Sequence, residues 1–354
     1  MNLRIPYSRA WITKSDLAAV RNVLASGQIS QGSITKRFEN EFCLAVGGEN
    51  GGGVGVGSGI AALIVALWAL DIGPGDEVII PSYICREVTE AVIASGAKPI
   101  YCDVGLQWVV TVDDVKSRIS PYTRAVIVPH LFGIYADMTS FISLDIPIIE
   151  DCSQAFNLMP DWQITGDIAT FSFRWSKCMT TGEGGMAVSK NPKLASRMRC
   201  FRDGFDARPH RRLGAPLSDL SSALGLSQLK RYPDFIERRR QFAVLYKHYL
   251  DKIDKSLLAD VPFEQNMFYR IPIKVPGGWK AHHMTFLEKG IAVNPGVLEL
   301  QHLHLVRSNV GFCVSAELIN QTIVLPIYPA ISRKEQRYCL ETVSHVLETI
   351  FSGN

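Results

Sequence analysis

Four short stretches of the chain carry residue types that could act together. The first is Gly57-Ser58-Gly59-Ile60, where a Val/Gly run gives way to an apolar helical one. Backbone N–H groups at a helix N-terminus bind anions, and glycine lets a ligand approach closely. A phosphate is the natural guest, although such a turn also serves packing alone. The second is Glu150-Asp151-Cys152-Ser153-Gln154, closing the apolar run 146–149. Ligands bind at the carboxyl ends of parallel strands. An acid there could hold a cationic nitrogen, or it could cap a helix. The third is Ser172-Phe173-Arg174-Trp175-Ser176-Lys177, followed by Thr-Thr-Gly-Glu-Gly-Gly. A partly desolvated lysine has a lowered pKa and becomes an amine nucleophile; the plainer alternative is a surface loop lysine. The fourth is Arg197, Arg199, Arg202, Arg208, Arg211 and Arg212 with His210. It could receive a diphosphate, or it could be a solvated helix face or a subunit contact.

The combination says more than any one stretch. A phosphate cradle, an acid on a strand end and a Ser-x-x-x-x-Lys loop are the set that holds pyridoxal 5'-phosphate. The aldehyde needs a lysine, the pyridinium a carboxylate, and the phosphate N–H and hydroxyl donors.

Positioning them requires a sheet. From residue 54 short Val/Ile runs alternate with helical ones: DEVIIPS, REVTEAVIASG, KPIYCDV, VDDVKSRI, RAVIVPHLFG, IPIIEDCS, DIATFSFR and GGMAVSK. Continuous apolar strands separated by helices predict a parallel sheet covered on both faces. Helices are expected over 13–26, stopped at Gly27, and over 35–46. A long helical segment is expected over 218–253, with Pro233 as a kink or break. FYRIPIKV, WKAHHMTFLEKG and TIVLPIY then read as a smaller strand-helix-strand unit. The expected fold is α/β, with a large domain over 1–240 and a small C-terminal domain over 241–354.

Composition narrows the class. The chain has 354 residues, enough for more than one core, with 47% hydrophobic and 20% charged residues. With 37 basic and 34 acidic residues the net charge is +3, which gives no case for nucleic acid or a membrane surface. No apolar run approaches the roughly 20 residues that span a bilayer, and MNLRIPYSRAW does not read as a secretory signal. The eight cysteines form no CxxC pair or metal-ligand spacing. A reduced, cytoplasmic protein without a metal site is expected.

In order along the chain, Ser30-Gln31-Gly32, GSGIAAL (57–63), GPGDEVIIPSY (73–83), ASGAKPIYCDV (94–104), PHLFG (129–133), IIEDCSQAF (148–156), GDIATFSF (166–173), Lys177, TTGEGG (180–185), SALGLSQLKR (222–231) and LPIYPAIS (325–332) resemble the DegT/DnrJ/EryC1/StrS family of sugar aminotransferases. The resemblance covers nearly the whole chain and implies the fold-type I architecture. It implies that Lys177 forms the Schiff base with pyridoxal phosphate and later moves the proton. Asp151 would pair with the pyridine nitrogen, and Gln154 would sit by the ring and its phenolic oxygen. Ser58, Gly59 and Ser172 would hold the phosphate, with the Ile60 N–H helping. It implies L-glutamate as donor, pyridoxamine phosphate as the carrier form, a nucleotide-linked keto-sugar as acceptor and a homodimer with sites at the subunit interface. Amino sugars for envelope polysaccharide and for antibiotics are both open.

The chain departs from the family pattern near the acceptor. Where relatives place a ring-stacking aromatic, Pro81-Ser82-Tyr83-Ile84-Cys85 puts Cys85 in that position, with Tyr83 as the alternative cover. Arg174-Trp175-Ser176 and Cys178 replace the usual neighbours of the lysine. The stretch 212–217 lacks the Asn that reaches the partner's phosphate; Arg208, Arg211 and Arg212 are the candidate substitutes. His302 and His304 are expected to be packed or solvated rather than in contact with substrate. Two further readings stay open: another pyridoxal-phosphate reaction on this scaffold, and a non-catalytic homologue. Sugar-dehydrating relatives often carry histidine in place of the lysine, so Lys177 argues against dehydration.

Overall fold

The computed structural model describes residues 4–158, 162–204, 211–264, 266–304, 308 and 310–352. Helix α1 (Lys14–Ser26) starts where the Asp16 side chain accepts from the Thr13 N–H at 2.8 Å, and it stops at Gly27 with φ 72°. Helix α2 (Ser33–Ala45) begins two residues before the expected start. Asp219, distant in sequence, accepts from the N–H groups of Gly32, Ile34 and Thr35 and so satisfies its first turn.

The predicted alternation follows: β1 (Gly53–Val56), α3 (Gly59–Ala69), β2 (Glu77–Pro81), α4 (Arg86–Ala94), β3 (Lys98–Cys102), α5 (Val112–Lys116), β4 (Thr123–Pro129), α6 (Met138–Phe141), β5 (Ile148–Asp151), β6 (Ile168–Ser172) and β7 (Gly185–Val188). These strands form one sheet in the order β1-β7-β6-β5-β4-β2-β3, and only β7 runs against its neighbours. Helix α3 is buried from Ala61 to Ala69 and packs on β6, β7, α4 and α7 (Pro192–Asp203). A helix apolar on every side has no wet face to offer.

Helix α7 was not expected. Its arginines drew attention away from an apolar face that buries Ala195, Met198 and Phe201. The segment expected over 218–253 is two helices, α8 (Asp219–Lys230) and α9 (Tyr232–Leu250). Pro233 lies in the first turn of α9, where its missing N–H costs nothing, so of the expected kink or break the structure has the break. Residue 240 falls inside α9.

The smaller unit has β8 (Ile271–Lys274), α10 (Gly278–Glu288), α11 (Cys313–Gln321), β9 (Thr322–Leu325) and α12 (Arg333–Ser352). Strands β8 and β9 pair antiparallel in a sheet of their own. Helix α12, also unanticipated, buries Cys339, Leu340, Val343, Val346 and Leu347, an amphipathic stripe.

A second core gathers Phe38, Phe42, Phe156, Phe171 and Phe173 with Cys178 and Met179. Phe42 meets Phe171 edge-on at 4.9 Å, and Tyr232 stacks on Phe156 at 4.3 Å. Each such ring contributes roughly 1.5–3 kcal/mol by leaving water. This cluster anchors both flanks of the Lys177 loop. Among the described residues no helix is long and apolar enough to cross a membrane, and all eight cysteines are free.

Candidate active site

At the carboxyl ends of β1, β4, β5 and β6 lies a cavity of about 700 Å³. Ser58, Gly59, Ile60, Cys85, Asp151, Gln154, Ser172 and Lys177 all line it. Tyr83 is the named cofactor-site residue that does not. It is fully buried, with its hydroxyl directed at Gly296, where a Cβ would stand 1.8 Å away.

The α3 N-terminus forms one wall. Ser58 caps the helix, its Oγ accepting from the Ala61 N–H at 3.1 Å. This leaves the N–H groups of Gly59 and Ile60 for a guest. A Cβ on Gly59 would lie 2.9 Å from Ser172 Cβ, so bare backbone and the Ser172 hydroxyl sit side by side. On β5, strand alternation sends Glu150 and Asp151 to opposite faces. Asp151 is buried and faces the cavity, and its Oδ1 accepts from the Ser153 N–H at 3.0 Å. Gln154 Oε1 accepts from the Phe132 N–H at 3.0 Å, which assigns the amide and leaves Nε2 as a donor.

Behind Asp151, Glu150 Oε1 accepts from the N–H groups of Thr165 and Gly166. Its Oε2 lies 3.2 Å from His130 Nε2. His130 Nδ1 accepts from the Ala136 N–H at 3.1 Å, so the ring proton is on Nε2 and is donated to Glu150. Burial pushes the Glu150 carboxyl up, but His130 and the two backbone N–H groups outweigh it and hold the carboxyl below its ordinary value. His130, Glu150 and Cys152 also lie within 4.8 Å of one another, but these bonds already occupy the imidazole and the carboxylate.

Lys177 is half-buried, with Nζ 5.9 Å from the Tyr269 ring centroid. The lowered pKa expected of it is not found. Burial does lower it, but Tyr269, Cys85 and Asp151 raise it by more, so the amine sits above its ordinary 10.5. Cys85 lines the cavity, and burial pushes its thiol up to about 12.

The described arginines of the fourth stretch do not line this cavity. Arg197 pairs with Asp71, and Arg199 donates to the carbonyls of Gly51 and Gly53. Arg202 is buried against Glu39 at 2.5 Å, and Arg211 donates to the Ile72 carbonyl. Arg212 packs on Gly204. Arg208 and His210 lie outside the described residues. The diphosphate reading thus has no support among the described arginines, whose partners are the protein's own. The loop that lacks the family Asn does adjoin the cradle, since the Gly57 N–H donates to the Ala215 carbonyl at 2.8 Å.

His302 is buried, stacked on Phe312 at 3.8 Å and bonded to Ser82, while His304 is exposed beside Glu299. Sequence reading missed Tyr7, His130, Tyr269 and Trp279, which also line the cavity, and Arg270 behind it. Only the Tyr269-Arg270 pair left a signal, a cation inside an otherwise apolar strand run.

A cavity-lining lysine, a strand-end carboxylate and a helix-end anion cradle, gathered at one end of a mostly parallel sheet, fit a pyridoxal-phosphate enzyme of the aminotransferase class. A family model confirms the class over residues 11–344, and the chain belongs to the DegT/DnrJ/EryC1/StrS aminotransferase family. It is 31% identical, over 94% of each chain, to a dTDP-4-dehydro-2,3,6-trideoxy-D-glucose 4-aminotransferase from Saccharopolyspora spinosa. It is 27% identical to the solved aminotransferase TlmJ from Streptoalloteichus hindustanus, with a TM-score of 0.88 over 98% of this chain and 100% of that one. It is 25% identical to NtdA from Bacillus subtilis, solved with bound cofactor pyridoxamine phosphate, with a TM-score of 0.84 over 95% of this chain and 83% of that one.

Proposed function

We propose that the chain is a pyridoxal-phosphate-dependent sugar aminotransferase that moves an amino group from L-glutamate to a ketone on a nucleotide-linked sugar. The observation that carries this reading is the convergence of Lys177, Asp151, Gln154 and the Ser58-Gly59-Ser172 cradle on one cavity. The residues fit the cofactor. A Cβ at Gly59 would fill the space beside Ser172, Gln154 Nε2 is left as a donor, and the buried Asp151 carboxylate faces inward.

When bound, pyridoxal phosphate supplies a carbonyl that takes up the amino group and a ring that withdraws electrons. The protein's part is positional and protonic. Ser58, Gly59, Ile60 and Ser172 hold the phosphate through hydroxyl and N–H donors. Asp151 would keep the ring nitrogen protonated by presenting an anion to it. Gln154 Nε2, left as a donor, would serve the ring's phenolic oxygen. Lys177 Nζ would be the amine that holds the cofactor and the base that moves a proton to and from the reacting carbon.

The homodimer, and the division into domains over 1–240 and 241–354, belong to the same proposal. The separate β8–β9 sheet supports the second domain. The spectrum of purified protein with pyridoxal phosphate, before and after L-glutamate, tests the whole. Wild type is expected to show the visible band of lysine-bound cofactor and to lose it on adding glutamate. Lys177→Ala is expected to show no such band. A wild type that takes up no cofactor would overturn the proposal, and one that ignores glutamate would overturn the donor.

A further inference from the structure

Arg270, immediately before β8, is 1% exposed and sits where four segments of the site meet. Its Nη2 donates to the Ser176 carbonyl at 3.2 Å, the peptide that joins Ser176 to Lys177. Its Nη1 donates to the carbonyls of Tyr269 at 3.1 Å and Ile327 at 3.2 Å. The guanidinium is 4.2 Å from the ring centroids of both Tyr7 and Tyr269. Its backbone N–H donates to the Phe132 carbonyl at 3.1 Å, and the Phe132 N–H in turn holds Gln154 Oε1. The N-terminal segment, the loop after β4, the lysine loop and the end of β9 are therefore tied through one residue.

Three carbonyls and two ring faces stabilise this buried cation, and no carboxylate pairs with it among the described residues. Removing a cation from water without a counter-ion is costly, so packing alone is a poor reason to place one here. A planar fork that reaches carbonyls on both sides is what a lysine or an apolar residue could not supply. Arg239 gives an internal contrast. It is equally buried and donates to the same Tyr269 and Ile327 carbonyls, at 2.9 and 2.8 Å, yet makes no bond to Ser176.

We propose that Arg270 is a positioning residue for Lys177, fixing the lysine loop against β9 and in register with Gln154. The function this serves rests on the aminotransferase reading; the placement of the loop does not. The test compares Arg270→Lys with Arg239→Lys in the full chain, by two readouts. The first is hydrogen exchange over residues 174–178 without cofactor, where the Lys177 N–H donates to the Arg174 carbonyl at 2.9 Å. The second is the pH midpoint of the visible band with pyridoxal phosphate bound.

Arg270→Lys is expected to cut local protection about tenfold or more, the scale of one charge-assisted bond, and to move the midpoint by about one pH unit. Arg239→Lys is expected to leave both at wild type. Tyr269→Phe, which deletes the 3.1 Å bond from the Tyr269 hydroxyl to the same Ser176 carbonyl and the 3.4 Å bond that this hydroxyl accepts from Arg270 Nη2, should move both in the same direction by less. Wild-type behaviour of Arg270→Lys, or equal shifts in Arg239→Lys, overturns the proposal. If Arg270→Lys does not fold, unchanged protection in Tyr269→Phe overturns it. Failure to bind cofactor would instead sink the proposed function, and the exchange comparison would still decide the role of Arg270.

Discussion

Gly59→Ala separates two jobs of the α3 N-terminus, holding an anion and starting a helix. The new Cβ would lie 2.9 Å from Ser172 Cβ and 3.2 Å from its Oγ, where ordinary contact begins at 3.4 Å. Ser172 must then retreat by about 0.5 Å, the difference between 3.4 and 2.9 Å, and both donors can no longer reach one phosphate. Losing one charge-assisted hydrogen bond costs about 1.5–3 kcal/mol, which is about 10- to 150-fold in dissociation constant. The helix itself tolerates the change. Gly59 has no positive φ, and alanine is favoured over glycine in a helix by about 1 kcal/mol, which offsets part of the strain. Equilibrium titration with pyridoxal phosphate should show the weakened binding. Thermal unfolding of the cofactor-free protein should stay within about 1 kcal/mol of wild type. Wild-type affinity would show that no phosphate sits at Gly59. A collapse of stability without cofactor would show that the glycine serves packing instead.

Glu150→Gln turns a donor toward His130 Nε2–H while Nδ1 stays committed to Ala136, so it should cost about 1–3 kcal/mol in thermal or urea unfolding at neutral pH. The native Glu150 carboxyl titrates below its ordinary 4.5, so its stabilisation is complete above that value and is lost as pH falls through the lower native one. Wild type should therefore lose stability below about pH 4.5 more steeply than Glu150→Gln; parallel acid profiles would refute the assignment. Lys177, held above 10.5, must lose a proton before it can attack an aldehyde. The rate at which cofactor-free protein takes up pyridoxal phosphate should rise about tenfold per pH unit between roughly pH 7 and 9, and a plateau near pH 8 would show the amine already neutral.

What was legible in the sequence is what local pattern determines. Asp151 and Ser172 close strands β5 and β6, and Gly59 opens α3, so the ladder and the helix end fix where each faces. Their places at strand and helix ends could be read from the alternation of Val/Ile runs with helices, while their roles are what the family resemblance implies. Tyr7 and Arg270 reach the site only through tertiary contacts, 4.2 Å apart across more than two hundred residues of chain, and no periodicity reports that. Tyr83 failed for the same reason, since the turn after β2 sends it inward toward Gly296 and leaves Cys85 on the cavity. The arginine stretch stayed ambiguous because a cation's partner is invisible in sequence; Glu39 claims Arg202, and the Gly51 and Gly53 carbonyls claim Arg199.

Lys177 shows why the sign of an electrostatic effect needs the structure. Read from the sequence, desolvation and a neighbouring cationic cofactor both favour the neutral amine. The fold adds Tyr269, Cys85 and Asp151 around that amine, and their combined effect is larger and opposite. A cation placed between Lys177 and Asp151 would reverse the balance, because it would both shield Asp151 and repel an ammonium. The protonated cofactor ring is such a cation. The protein alone thus keeps its nucleophile protonated, through Tyr269, Cys85 and Asp151 together. Asp151 is also the group that would fix the ring's charge in place, so activation of the lysine and anchoring of the ring are coupled through the carboxylate at the end of β5.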